Sequence, residues 1–159
     1  MNDRYEPSSS FLISVINGDA PLVGSAFADM NRRTVLALMR DADRSNRDWA
    51  TLLIAQTELD TPEVREALLA AAGDEDAEVR SEAVLALAQR DRTLALPLVL
   101  RELSANEANG NIFEAAEIIG DASLIEVLEP FQEPSERPWL DDMAAAALRA
   151  CKASAHSVD

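Results

Sequence analysis

Apolar residues recur at helical spacing along most of the chain, in short stretches separated by glycine, proline and aspartate. Val35, Leu36, Leu38 and Met39 form one stripe, Trp49, Ala50, Leu52 and Leu53 a second, Val64, Leu68, Leu69 and Ala72 a third, and Val79, Ala83, Val84 and Leu87 a fourth. Steps of three and four residues place each set on one side of an α-helix. Further stripes run through Leu94, Leu96, Leu98, Val99 and Leu103, through Ile112 to Gly120, through Ser123 to Phe131, and through Leu140, Met143, Ala144, Ala147 and Leu148. The boundaries carry capping chemistry. Ser8-Ser9-Ser10 offers hydroxyls ahead of Phe11, Gly18 closes that helix, and Asp19 with Pro21 opens one carrying Leu22, Val23, Ala26 and Phe27. Asp60-Thr61-Pro62-Glu63 puts proline at a first helical position, where its missing N–H costs little, and Gly73 ends that helix. Pro97 lies inside a stripe and is expected to kink or restart its helix. The pattern predicts an all-α chain of ten helices in five antiparallel pairs. A frayed N-terminus is expected over residues 1–7, one repeat domain over 8–153 with repeats at about 8–31, 32–59, 60–91, 92–120 and 121–153, and a disordered tail over 154–159.

The stripes also repeat as sequence. Asp41, Asp43, Arg47 and Ala50 return 33 residues later as Asp74, Asp76, Arg80 and Ala83, and Leu52, Ile54, Ala55 and Gln56 return as Leu85, Leu87, Ala88 and Gln89. A fixed period of this size marks helix pairs stacked one on the next. The block Asp-x-Asp-x-x-Val-Arg-x-x-Ala at Asp74 to Ala83, with Leu85 and Leu87 behind it, resembles the short HEAT-like repeats also found in phycobilisome lyases. Asp41 to Ile54 is a degenerate copy with Asn46 where valine is usual; Ile112 to Asp121 keeps Ala115, Ile119, Gly120 and Asp121 and loses the arginine. The resemblance covers about Arg32 to Ala153 and implies a right-handed α-solenoid of about five antiparallel helix pairs. It also implies that the turn aspartates cap the second helix, that the arginine reaches a neighbouring turn carboxylate, and that the alanine lets helices approach closely. On that basis Asp43, Arg47, Asp76 and Arg80, with Ala50 and Ala83, are assigned to folding.

Composition narrows the partner. Hydrophobic residues make up 48% of the 159 residues but aromatics only 4%, so the core is expected to be aliphatic and alanine-rich. A net charge of −15 repels phosphate backbones and anionic headgroups, which argues against nucleic acid and membrane surfaces. The acid is uneven: Glu102 to Asp142 holds eleven acidic residues against Arg137 alone, whereas Arg32 to Arg47 holds five arginines against Asp41 and Asp43. A single cysteine, Cys151, excludes an internal disulfide, and no segment reaches 18 apolar residues, so a cytoplasmic setting is the expectation.

The chemistry-bearing residues are few. His156 is the one histidine and falls in the predicted tail, so no histidine-based triad or metal site is assembled. Asp74-Glu75-Asp76 lacks the glycine and distal glutamate of a calcium loop, and no glycine-rich phosphate loop occurs. No catalytic residue, metal or cofactor is assigned. Second helices of such pairs resemble those that line the concave, binding face of a solenoid. Taking Val79, Ala83 and Leu87 as inward, Glu82 points outward, with Trp49 and Glu114 at equivalent levels. Trp49, Glu82, Glu114 and Glu117, extended by Asp141 and Asp142, form a candidate groove with one aromatic anchor and an acidic floor. Alternatively, Trp49 covers the seam with the first helix pair and the acids are only solvated. Trp139 is read as a cap over the last apolar layer, and Phe113, Phe131 and Cys151 as core. The expected function is a non-enzymatic module that binds a protein partner through the acidic concave face, a basic partner being one option. An inhibitor or immunity protein neutralising a basic nuclease or toxin is a sharper version. A bilin lyase-like chromophore chaperone is implied only by the resemblance.

Overall fold

Helices start where a short polar side chain can reach back to the first free N–H groups, and this chain uses that device repeatedly. The computed structural model describes residues 5–157, and all regular structure among them is helical. In chain order the helices are α1 (Ser10–Ile16), α2 (Ala28–Leu38), α3 (Arg44–Gln56), α4 (Pro62–Ala71), α5 (Ala77–Arg90), α6 (Arg92–Ser104), α7 (Gly110–Ile119), α8 (Ile125–Leu128) and α9 (Pro138–His156). Ser9, Asp43, Thr61, Asp91 and Asn109 cap α1, α3, α4, α6 and α7 through their side chains. Two compact units divide the chain, Met1–Ala83 and Val84–Asp159, with the boundary inside α5.

In the first unit, Leu12, Val35, Ala50, Ile54, Val64, Leu68, Val79 and Ala83 are buried. The starts of α1, α3 and α5 lie in one row. Ser9 donates its N–H to Asn46 Oδ1 at 2.8 Å, and Arg47 Nε donates to Asp74 Oδ2 at 2.8 Å in the turn before α5. Leu69, placed by the pattern on the buried face of α4, is 40% exposed; Ala67 and Ala71 face inward instead.

Pro21 to Phe27, where the sequence predicts a helix, is an irregular loop. Gly24 sits at φ +70°, outside the right-handed helical region. The carbonyls of Pro21 and Leu22 accept from Asn31 Nδ2 (2.9 Å) and Arg32 Nη1 (2.8 Å), where a helix would have supplied backbone N–H groups. α1 therefore has no helical partner directly after it, and the next helix begins at Ala28.

In the second unit, α7 packs on α6 and on α9. A Cβ at Gly110 would lie 3.3 Å from Met143 Sδ, and one at Gly120 3.7 Å from the carbonyl of Ala150, so α7 and α9 run side by side in the same direction. Ala115, Ala116, Ala144 and Ala147 are at most 1% exposed, and these small side chains let the helices come close. α6 continues through Pro97: the bond lost would have ended on the carbonyl of Thr93, an exposed residue that water can reach. The helix predicted over Ser123 to Phe131 is broken into a 3₁₀ turn at Ala122–Leu124, α8, and a second 3₁₀ turn at Glu129–Gln132, where Pro130 cannot continue the α-helical ladder.

Phe113 is core, with Phe131 half-buried against it edge to face at 5.3 Å. Trp139 is 58% exposed and lies beside Gly110, so it does not close an apolar layer. Residues 154–156, expected as tail, extend α9, with His156 Nδ1 2.7 Å from the carbonyl of Lys152. Residues 158–159 of that tail, and 1–4 of the predicted frayed end, lie outside the described residues.

Candidate interaction site

The motif residues are held in the turns and helix starts of the fold. Asp43 Oδ1 accepts from the N–H and hydroxyl of Ser45 (2.8 and 2.6 Å), and Oδ2 accepts from Ser8 Oγ at 2.7 Å. These bonds, the Ser45 hydroxyl first, hold its carboxyl down at about 2. Asp76 Oδ1 accepts from the N–H groups of Glu78 and Val79, while Arg44 Nε donates to Asp76 Oδ2 at 2.6 Å; Arg44 is the main reason the Asp76 carboxyl titrates below its ordinary value. Arg47 grips Asp74 with two nitrogens (2.8 and 3.2 Å) and donates through Nη1 to the carbonyls of Asp41 and Ala42. Arg80 repeats the second half of that arrangement on the carbonyls of Asp74 and Glu75.

Sequence reasoning missed Arg44, Asn46 and Tyr5. For Asn46 the signal was present: an amide stands where the repeat carries valine, and it is 7% exposed because it accepts from Ser9 and donates to Asp41 Oδ1. Tyr5 donates its hydroxyl to Asp48 Oδ2 at 2.8 Å, accepts from Arg44 Nη1 at 3.0 Å, and stacks on Trp49 with ring centroids 6.2 Å apart. Desolvation, then the Asp48 carboxylate, pushes the Tyr5 hydroxyl up to about 12.

Trp49 lines a recess of about 370 Å³ with Tyr5, Glu6, Pro7, Ile13, Ile16 and Asn17. Ile13 and Ile16 are 37% and 42% exposed. The indole Nε1 of Trp49 is buried and has no hydrogen-bond acceptor among the described residues. Glu82, in the same unit, is half-buried and does not line this recess.

Glu114, Glu117, Asp141 and Asp142 belong to the second unit. Glu114 and Glu117 are exposed on α7 and share a recess of about 620 Å³ with Arg92, Ile118, Ile119, Gly120, Ala150 and Ser154. Neither Asp141 nor Asp142 lines it. Asp141 instead closes the turn before α9, accepting from the N–H and hydroxyl of Ser135 (2.9 and 2.6 Å), which holds its carboxyl below the ordinary value. Asp142 is exposed on α9.

Cys151 is fully buried with its thiol against the carbonyl of Ala116, and burial pushes it up to about 11. Among the described residues no group of three or more His, Cys, Asp and Glu side chains is placed to hold a metal ion. No helix among them is long and apolar enough to cross a membrane.

A family model for HEAT repeats matches residues 33–120. The match is to HEAT repeats as such and does not extend to the phycobilisome lyase type. Protein YibA of Escherichia coli strain K12 and Protein YibA of Escherichia coli O157:H7 are each 30% identical over 122 residues, which is 77% of this chain and 40% of the relative. The chain thus spans less than half the length of these curated relatives. No solved structure matches it.

Proposed function

The chain belongs to the HEAT-repeat family, and from that premise we propose that it is a non-enzymatic protein-interaction module whose partner presents a basic surface. The observation that carries this reading is the pair Glu114 and Glu117, exposed and one helical turn apart, without an ion-pair partner among the described residues, opening on one recess. Carboxylates engaged in a fold are held by caps or arginines, as Asp43 and Asp74 are here. Glu114 and Glu117 keep their charge for what approaches from outside, and Asp142 adds to the negative field of the same unit. Among the described residues lining the recess, Arg92 is the one cation against the carboxylates of Glu114 and Glu117.

A net charge of −15 also favours the sharper reading, an inhibitor that neutralises a basic target such as a nuclease or toxin, because dense acid accelerates association with such a surface. Both versions make the same first demand. The full chain, immobilised and used to capture proteins from its source cell, is compared with a Glu114→Lys, Glu117→Lys double variant of equal stability. The captured partner is expected to be lost from the variant, and its association rate with the wild type to fall steeply between about 0.05 and 0.3 M salt. Retention of the same partner by both proteins, with a rate indifferent to salt, overturns the acidic contact.

A further inference from the structure

We propose that the recess beside Trp49 is a seat for one basic side chain, an arginine or lysine carried by a peptide segment of the partner. This deepens the interaction-module reading and rests on it. A volume of about 370 Å³ lies at the small end of the range for ligand pockets, roughly 300–1,000 Å³, and suits a side chain with its flanking backbone better than a domain.

The lining matches the parts of such a side chain one by one. Ile13 and Ile16 offer exposed aliphatic surface on which the methylene stem of arginine or lysine can lie. Tyr5 and Trp49 present stacked rings, and aromatic faces attract cations. That attraction is already in use on Tyr5: the guanidinium carbon of Arg44 sits 5.7 Å from its ring centroid. Arg44 is itself neutralised by the two oxygens of Asp76, so it does not repel a second cation as a bare charge would. Among the described residues Glu6 is the one charged residue lining the recess, and it is exposed with no ion-pair partner among them. A cation at the recess thus meets a carboxylate, and an anion meets a like charge.

The test uses the full chain with Trp139→Phe, so that Trp49 alone reports by fluorescence. The probes are two capped peptides, acetyl-Ala-Leu-Arg-Leu-Ala-amide and the same peptide with citrulline in place of arginine, which keeps the shape and removes the charge. Saturable change in Trp49 emission is expected with the arginine peptide, with the citrulline peptide about ten-fold weaker. Glu6→Gln is expected to weaken the arginine peptide about three-fold or more, and Ile16→Asp to remove its binding, both with unchanged circular dichroism; Glu133→Gln, an exposed acid elsewhere, leaves it as in the wild type. Equal binding of the two peptides, no binding of either, or arginine binding indifferent to Glu6→Gln and Ile16→Asp overturns the seat. So does self-association of the chain that Ile16→Asp abolishes, since the recess would then take a second copy. If the seat fails while the Glu114 and Glu117 reversal still releases the captured partner, the module reading stands and only the seat is lost.

Discussion

Replacing Arg47 with alanine tests whether the repeat motif holds the first unit together. Its side chain is 11% exposed and that of Asp74, whose carboxylate it grips, is 10% exposed, so the pair works where water screens less than at an open surface. The substitution removes two charge-assisted bonds to Asp74 and leaves the carbonyls of Asp41 and Ala42 without this donor. Hydrogen bonds to charged groups contribute about 1.5–3 kcal/mol each, and breaking a buried pair by removing one partner costs about 3–5 kcal/mol. Asp74 keeps one bond, from the N–H of Asp76 at 2.9 Å, which lowers the cost of leaving it behind. The expected loss is therefore about 3 kcal/mol, seen in urea titration as a lower midpoint at unchanged slope. Arg47→Met separates the charge from the stem: it keeps most of the aliphatic packing and should recover only a minor part of the loss. A double-mutant cycle with Asp74→Asn isolates the pair, and coupling of about 1.5–3 kcal/mol is expected. Coupling under about 0.5 kcal/mol, the level of an exposed surface pair, would refute the claim that this contact ties neighbouring turns.

Acid should weaken the same region. Asp43 is held at about 2 and Asp76 also lies below its ordinary value, so both contribute stability that is complete above about pH 4 and is lost as pH falls toward 2; melting temperature followed from pH 5 to 2 should drop across that window, and Asp43→Asn should flatten part of the drop. Cys151 should resist a thiol reagent at pH 8 in the folded protein and react promptly in denaturant, because its thiol is fully buried and pushed up to about 11; rapid labelling of the native chain would contradict that placement.

Much of the fold was legible because its determinants are local. A cap such as Asp43 or Asn109 acts on an N–H two or three residues away, and the helical stripes lie within single segments, so a linear reading reaches both. The family membership followed from a motif whose parts sit within one turn and one helix, Asp74 to Ala83. The misreadings are where distant side chains decide. Pro21 and Pro62 look alike as helix openers, but Asn31 and Arg32, ten residues further on, take the carbonyls of Pro21 and Leu22 and stabilise a loop. Residues 1–7 read as a frayed end and Ser8 as part of a capping cluster, yet Tyr5 and Ser8 find Asp48 and Asp43 at separations of 43 and 35 residues. Trp139 was placed over the last apolar layer from its position in the terminal repeat, and it is Gly110, far away in sequence, that gives it a place to lie.

The candidate site was less legible for a reason that net charge conceals. Aspartate has a short side chain that reaches its own backbone neighbourhood, and in this chain Asp43, Asp76, Asp121 and Asp141 all accept from nearby N–H or hydroxyl groups. Glu114 and Glu117, one methylene longer and inside a helix whose N–H groups are already bonded, have no such local use and stay exposed. Glu102 goes the other way, buried at 3% beside Arg101, so length alone does not settle the matter. Negative charge therefore divides into carboxylates that the fold consumes and carboxylates available to a partner, and the division runs through each local bond network. Asp141 belonged by its position to the proposed acidic floor and by its bonds to the turn before α9. Neutralising it should loosen that turn and leave association with a basic partner nearly unchanged, whereas reversing Glu114 and Glu117 should do the opposite.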